Sequence, residues 1–290
     1  MDVLHDVLVA ACGVLGALGV AALLLPTRQA RLRRWLRRED AEQADSAVLA
    51  VQAALSRGAV AAVGVFLALA LAFLALQLKA VGIALALPLT ALLVAFLPVG
   101  GGARRSAGLT ETAPAGGLGR WFALLAAAGV VIAAGLMWVQ AATFAPERLI
   151  SGLAMDVSIV LPELAVYTLP TAAAVAVAVP LVAGAARLAI TRRSGLSGAT
   201  GPVDALLRRH QARLVVRAGL AAELVLAAVL IRFLPLLTAS RTAEVYGSDL
   251  TRSAGVLALV LVAAGLAMLV RGATLPVRTK HSAPALAVVR

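Results

Sequence analysis

Apolar residues in this chain are grouped in blocks about as long as a membrane-spanning helix. At 1.5 Å rise per residue, roughly 18–25 apolar residues cross the ~30 Å hydrocarbon core of a bilayer. The blocks are runs of Ala, Leu and Val without the alternation of polar and apolar positions that a transmembrane β-strand shows. Because lipid offers the backbone no hydrogen-bond partners, each block is predicted to be a helix. The pattern therefore predicts an all-α, polytopic transmembrane helix bundle.

The blocks predict about seven spans in a single transmembrane domain, 1–290. The spans are 7–25, 59–77, 81–99, 120–144, 164–190, 213–237 and 253–270. Gln77 and Lys79 divide the apolar stretch 59–99, which is about twice too long for one span. One long, kinked helix over 59–99 is the alternative.

Positive charge is distributed unevenly between the polar segments. If the N-terminus lies outside, 21 of the 26 Lys and Arg residues fall in cytoplasmic segments or in the span ends next to them, over 26–57, 100–120, 187–217 and 271–290. The positive-inside rule therefore predicts the N-terminus outside and the C-terminus in the cytoplasm. The first block follows acidic residues and precedes arginines, so we expect a retained helix and not a cleaved signal peptide. The mixed segment 145–163 is predicted to be an amphipathic helix on the outer face.

The composition agrees with a membrane protein. Hydrophobic residues make up 62% and charged residues 14% of the chain, against about 25% charged in soluble domains. Topology accounts for the net charge of +12, so no nucleic-acid partner is expected. The segment 27–57 is predicted to be cytoplasmic and interfacial. Its arginines are expected to contact anionic lipid headgroups; they are Arg31, Arg33, Arg34, Arg37 and Arg38. The preference for Arg over Lys suggests a GC-rich bacterium, and thus a multi-pass protein of the bacterial cytoplasmic membrane.

Several function classes are disfavoured by the residues that the chain lacks. Cys12 is the only cysteine, so neither a disulfide nor a zinc cluster forms within one chain. The three histidines, His210 among them, lie outside the predicted spans. The sequence contains no HExxH, GxGxxG or Walker A motif. We therefore expect no enzyme activity, no metal site and no cofactor.

Span 213–237 contains the strongest candidate for a functional residue. Charges inside a span cost roughly 2.5–3.5 kcal/mol on insertion scales. Arg217 and Arg232 lie toward the span ends and can extend to the interface, although Arg232 also remains a candidate for an ion pathway. Glu223 is deeper and lies on the opposite face of the helix. It is either functional or half of a structural interhelical pair, for which Arg187 is the candidate partner.

A second group of polar residues has helical spacing. Asp156, Glu163, Tyr167 and Thr171 are separated by 7, 4 and 4 residues, so one continuous helix would present them on one face. They would form a polar stripe that enters the membrane from outside, as part of a substrate or ion pathway. Prolines interrupt this segment, and a solvated amphipathic loop is the alternative.

Two further patterns concern helix packing and symmetry. Gly13, Gly16 and Gly19 give the first span a face of small residues that suits close helix packing. Spans one to three and five to seven each consist of a helix, a long Arg-rich segment and two helices. This similarity indicates either a parallel internal repeat or simply the likeness of Arg-rich cytoplasmic loops.

Two functions fit these observations. The first is a transporter or permease for an unidentified solute, with Glu223 as a membrane-embedded carboxylate and prolines within several spans (Pro88, Pro170, Pro180 and Pro235). The alternative is a non-catalytic membrane subunit or assembly factor of a larger complex, with a protein partner on segment 27–57. The scarcity of polar residues within the spans favours this second hypothesis.

Overall fold

The computed structural model describes residues 44–76, 78–96, 118–143, 168–192, 201–237 and 249–273. These ranges form helices and contain no strand, which confirms the predicted all-α class for this part of the chain. The helices are α1 (Ala44–Ala75), α2 (Lys79–Phe96), α3 (Leu118–Thr143), α4 (Thr168–Arg192), α5 (Gly201–Phe233) and α6 (Asp249–Ala273). A short 3-10 helix, Leu234–Leu237, follows α5.

Four of these helices are long and apolar enough to cross a membrane. Their apolar windows are Gly119–Thr143, Thr168–Arg192, Leu207–Phe233 and Asp249–Leu269, whereas α1 and α2 contribute shorter apolar stretches, Val60–Ala75 and Ala80–Ala95. Large apolar side chains also cover the outside of the bundle: Leu71, Val131, Trp138 and Leu181 are each more than 60% exposed. A surface of this kind suits contact with lipid. The helices therefore fit an integral membrane protein.

Two helices begin well before the predicted spans. Helix α1 begins at Ala44, within the segment predicted to be interfacial, and α5 begins at Gly201, within the predicted loop before span 213–237. Alanine, which is common at the start of α1, and arginine, which is common at the start of α5, are both good helix formers, so the helix continues through each of these stretches. His210, which was predicted to lie outside the spans, is a buried residue of α5 in the first turn of the candidate window Leu207–Phe233. Its position relative to the membrane stays a prediction.

A tight turn separates α1 from α2. The amide of Leu78 donates a 2.9 Å hydrogen bond to the Phe73 carbonyl, and the Gly82 amide donates a 3.0 Å bond to the Leu78 carbonyl. A β-carbon on Gly82 would lie 2.5 Å from the β-carbon of Phe73, so a glycine is needed where the helices meet. The turn lies where Gln77 and Lys79 interrupt the apolar stretch.

Helix α5 is the central helix of the bundle. It packs against α2, α3, α4 and α6. Of its apolar window, 67% is buried, against 44% for α4, 33% for α3 and 28% for α6. Ala222, Leu226 and Ala228 of α5 are fully buried. A polar side chain on the buried surface of α5 is therefore surrounded by protein and shielded from lipid.

Helices α3 and α5 run parallel to each other. A β-carbon on Gly219 would lie 2.8 Å from Cδ2 of Leu125, and one on Gly135 would lie 2.8 Å from Cδ2 of Leu230. Residue numbers thus rise together along both helices. The two helices approach closely at these glycines, as helices in membranes commonly do at small residues.

Helix α4 runs antiparallel to α3. Gly184 of α4 faces Phe122 near the start of α3, whereas Gly129, further along α3, faces Ala176, which lies earlier in α4. Helix α4 also packs against α5. The start of α3, the end of α4 and the start of α5 therefore lie at the same end of the bundle.

Candidate functional site

Glu223 is a buried carboxyl group without a hydrogen-bond partner in the described part of the chain. Its side chain is only 2% exposed. Neither Oε1 nor Oε2 accepts or donates a hydrogen bond within the described ranges. Buried polar groups in proteins are normally hydrogen-bonded, and an unsatisfied one costs about 1–3 kcal/mol, or more if it is charged. Glu223 therefore lowers the stability of the fold, which is typical of a residue retained for function.

The carboxyl group of Glu223 lies where three helices meet. A β-carbon on Gly129 of α3 would be 3.1 Å from Oε1 of Glu223, 2.5 Å from the carbonyl oxygen of Ala176 and 3.3 Å from Cγ of Pro180. Real β-carbons essentially never approach another atom to less than 3.0 Å. Because Gly129 has no side chain, α3 can pack against the backbone of α4 and leave space for the carboxyl group.

Pro180 changes the hydrogen bonding of α4 at this point. Proline has no amide hydrogen, so the bond that residue 180 of a regular helix would donate to the carbonyl of residue 176 is absent. Pro180 lies inside α4, and both Pro180 and Ala176 are buried. The Ala176 carbonyl therefore lacks its usual helical donor and lies near the buried carboxyl group of Glu223.

The site is near the middle of each helix that forms it. Pro180 is the central residue of the window Thr168–Arg192. Gly129 and Glu223 lie within about one turn of the centres of their own windows. In a bilayer crossed by these three windows, all three residues would fall close to the midplane, the depth at which transporters commonly bind substrates and coupling ions.

Glu223 does not pair with Arg187, the arginine proposed as its partner, and Arg232 lies far from it along α5. No hydrogen bond joins Glu223 to Arg187, so the prediction of this pair was wrong. Arg187 is seven residues beyond Pro180, about 10 Å further along the axis of α4. Arg232 is nine residues beyond Glu223, about 13 Å along α5 and on its opposite face. The structure therefore does not bring Glu223 and Arg232, two members of the predicted pathway, together.

The remaining predicted residues are mostly outside the described ranges. Thr171 lies half-buried on α4, and its place in a polar stripe stays a prediction. The other three members of that stripe, the three glycines of the first span and the five arginines of segment 27–57 all lie outside the described residues. The first span, 7–25, and the outer segment 145–163 lie outside them as well.

The structure adds residues that the sequence analysis did not place in the site. Gly129 and Ala176 carry no sequence signal, because glycine and alanine are common throughout the spans. Pro180 was visible as a proline inside a span, but only the packing of α4 shows that it lies at the level of Glu223. Gln140 and Gln211 also bury a side-chain oxygen that has no partner in the described ranges.

Basic residues gather at the end of the bundle shared by α3, α4 and α5. Nη1 of Arg208 on α5 donates a 2.9 Å hydrogen bond to the carbonyl of Thr191, in the last turn of α4. This carbonyl is one of those that a helix end leaves without an intrahelical donor, and the positive charge also suits the negative end of the helix dipole. Arg120 at the start of α3 and Arg192 at the end of α4 lie at the same end.

Comparison of the chain with protein-family models, with curated proteins and with solved structures gave no match. Within the described helices, no three His, Cys, Asp or Glu residues come together as a metal site would require. The groups that the structure brings together at the buried site are the Glu223 carboxyl group, the Ala176 carbonyl and the space left by Gly129.

Proposed function

We propose that this protein is a membrane transporter that uses Glu223 as the carboxyl group coupling ion movement to that of a solute. The observation that carries the proposal is the burial of an unpartnered carboxyl group near mid-depth in the central helix. A purely structural carboxyl group would be expected to have a hydrogen-bond or ion-pair partner, because the cost of burial is otherwise uncompensated. Ionisable groups at this depth commonly bind ions or protons in transporters and pumps.

Pro180 gives the proposal independent support. Helices interrupted near the bilayer midplane supply backbone carbonyls to the ion sites of many transporters. Helix α4 has a proline at its centre, and the carbonyl released by this proline lies beside Gly129 in the same contact as Glu223. A carboxyl oxygen of α5 and a carbonyl oxygen of α4 thus lie close to the same point on α3.

The proposal includes an orientation. The basic end of the bundle, with Arg120, Arg192 and Arg208, would face the cytoplasm under the positive-inside rule. This orientation agrees with the charge distribution over the whole sequence and with an outer N-terminus. The membrane would be a bacterial cytoplasmic membrane, and its anionic headgroups would contact the basic end.

Transport can be tested on purified protein in vesicles of phosphatidylethanolamine and phosphatidylglycerol that contain the pH indicator pyranine. Sugars, amino acids, organic acids and inorganic cations are added outside, one class at a time, while internal pH is recorded. The matched variants are Glu223→Gln, which removes the ionisable group, and Asp249→Asn, which removes an acidic group that is fully exposed at the start of α6.

The proposal requires that one class of solute changes internal pH in wild-type and Asp249→Asn vesicles and has no such effect in Glu223→Gln vesicles. Equal responses from Glu223→Gln and wild type would contradict a coupling role. Wild-type vesicles that respond to no solute beyond protein-free vesicles would also contradict transport, and would favour a non-catalytic subunit of a larger complex.

A further inference from the structure

We infer that the ion bound at this site is a proton, and that protonated Glu223 donates its hydrogen bond to the Ala176 carbonyl that Pro180 leaves without its helical donor. The inference rests on the proposed function in that the carboxyl group exchanges its proton during transport. It extends that proposal by naming the ion and the group that receives the hydrogen bond.

The geometry brings the donor and the acceptor to one place. Oε1 of Glu223 and the Ala176 carbonyl oxygen both lie close to the same point on Gly129, at 3.1 and 2.5 Å from an ideal β-carbon. The distance between the two oxygens therefore cannot exceed the sum of these values. A rotation of the carboxyl group about its side-chain bonds covers such a gap. A protonated carboxyl group has one O–H to donate, and a carbonyl without its helical donor can accept it.

The number of oxygens favours a proton over a metal cation. A metal ion that leaves water must replace its hydration shell with protein oxygens, and Ca²⁺ or Mg²⁺ takes six or more ligands in total. The oxygens that the described residues bring to the contact at Gly129 are those of the Glu223 carboxyl group and the Ala176 carbonyl. No cluster of His, Cys, Asp or Glu adds to them within the described helices. A proton needs only one donor and one acceptor.

Charged groups on the surrounding helices do not stabilise an ionised Glu223. On α2, α3, α4 and α6 these groups lie within about two turns of a helix end; they are Lys79, Arg120, Arg187, Arg192, Asp249, Arg252 and Arg271. On α5 the nearest are Arg217, about 9 Å away along the axis, and Arg232, about 13 Å away. The neutral acid is therefore the form that this closed arrangement holds.

Loss of the proton requires the helices to separate. An ionised carboxyl group cannot donate to the Ala176 carbonyl, and two oxygens that only accept hydrogen bonds repel each other. Glu223 would become an unpaired buried charge, which is costly without water or a cation. Release of the proton to water on one side and uptake from the other would thus accompany movement of α4 away from α5.

Infrared difference spectroscopy of the protein in vesicles tests the inference without knowledge of the solute. Spectra are recorded across a pH series, and the C=O stretching band of a protonated carboxylic acid is followed. The variants are Glu223→Gln, which lacks the acid, and Pro180→Ala, which restores an amide donor to the Ala176 carbonyl. Pro88→Ala is the matched control, because Pro88 lies inside α2 and outside the site.

We expect a carboxylic acid band in the wild type that is lost in Glu223→Gln. In Pro180→Ala the band moves to higher wavenumber, since the acid loses its acceptor. It also disappears at lower pH, since the neutral form is less stabilised. Pro88→Ala leaves the wavenumber of the band and the pH at which it disappears unchanged. The inference is overturned if the wild type shows no band that depends on Glu223, or if Pro180→Ala leaves the band and its pH midpoint as in the wild type.

These results are distinguishable from failure of the transport proposal. A band that responds to Pro180→Ala, in a protein that moves no solute in the vesicle assay, would support the proton site and contradict transport. Solute movement that depends on Glu223 and a sodium gradient, with no acid band, would support transport and contradict the inference that the bound ion is a proton.

Discussion

Oε1 of Glu223 lies 3.1 Å from the position that a β-carbon on residue 129 would occupy, and residue 129 is a glycine. The carboxyl group thus lies in space beside α3 that the side chain of any amino acid other than glycine at position 129 would occupy. The same position is 2.5 Å from a backbone oxygen of α4, so the space cannot be recovered by moving a flexible side chain. This relationship determines which substitutions the site can tolerate.

Gly129→Ala should destabilise the protein by about 1–3 kcal/mol, the usual cost of overpacking. The added methyl group would meet the Ala176 carbonyl and displace the Glu223 carboxyl group, and the backbone of α4 would have to shift. Thermal unfolding in mild detergent measures the effect. An alanine variant as stable as the wild type would show that α3 and α4 are less closely packed at this point.

Gly219→Ala should cost less than Gly129→Ala. Its methyl group would meet Cδ2 of Leu125 at 2.8 Å, and the end of a leucine side chain can rotate away. Gly64 is the control, because a β-carbon there has no neighbouring atom within 4 Å. Gly64→Ala should be neutral or slightly stabilising, since alanine is the better helix former. Unfolding of the three variants under one set of conditions gives the order, and a larger loss for Gly219→Ala than for Gly129→Ala would contradict it.

Glu223→Met should stabilise the protein by about 1–3 kcal/mol at high pH, where an ionised Glu223 could not donate to the Ala176 carbonyl and would be an unsatisfied buried group. Methionine has a similar length and no polar atom that requires a partner. The same substitution should abolish any coupled flux, so stability and activity would change in opposite directions. Loss of stability in Glu223→Met at high pH would instead show that the ionised carboxyl group has a structural partner.

Arg208→Ala should destabilise the basic end of the bundle by about 1.5–3 kcal/mol, the usual contribution of a hydrogen bond to a charged group. The variant loses the bond to the Thr191 carbonyl that ties the start of α5 to the end of α4. Arg209→Ala is the control, because Arg209 is the exposed neighbour on the same helix. Chemical denaturation of both variants in detergent measures the difference, and equal losses would assign the effect to charge alone.

Single cysteines at positions 120 and 192, in a Cys12→Ala background, should react with a membrane-impermeant maleimide from the same side of the membrane. The antiparallel packing of α3 and α4 requires this. The positive-inside rule makes that side the cytoplasm, and a cysteine at position 249 should then react from outside. Labelling of positions 120 and 192 from opposite sides would contradict the packing of these helices.

Hydrophobic patterning predicted the helical class and located most of the described helices, because lipid selects for length and apolarity and both are visible in a sequence. It located helix ends less well. Helix α5 extends back to Gly201 through Arg208 and Arg209, since hydropathy marks where a helix leaves the lipid and not where its hydrogen bonds end.

The importance of Glu223 followed from the sequence, because the cost of a buried charge does not depend on the details of the fold. The surroundings of Glu223 did not follow from the sequence. The sequence suggested Arg187 as a partner, since opposite charges on neighbouring spans often pair, but no hydrogen bond joins Arg187 to Glu223. Gly129 and Ala176 belong to the site only because α3 and α4 approach each other closely there. Neither the periodicity nor the composition of the sequence indicates how close two helices lie.

The contact between Gly129 and Glu223 also links the evolution of the two positions. Any side chain at position 129 would occupy the space that the carboxyl group uses, so descendants of this sequence that keep the acid should keep the glycine. Larger residues at position 129 should appear only in lineages where position 223 has become small or apolar. Such paired change is the usual mark of residues in direct contact, and here it would trace when the acid was gained or lost.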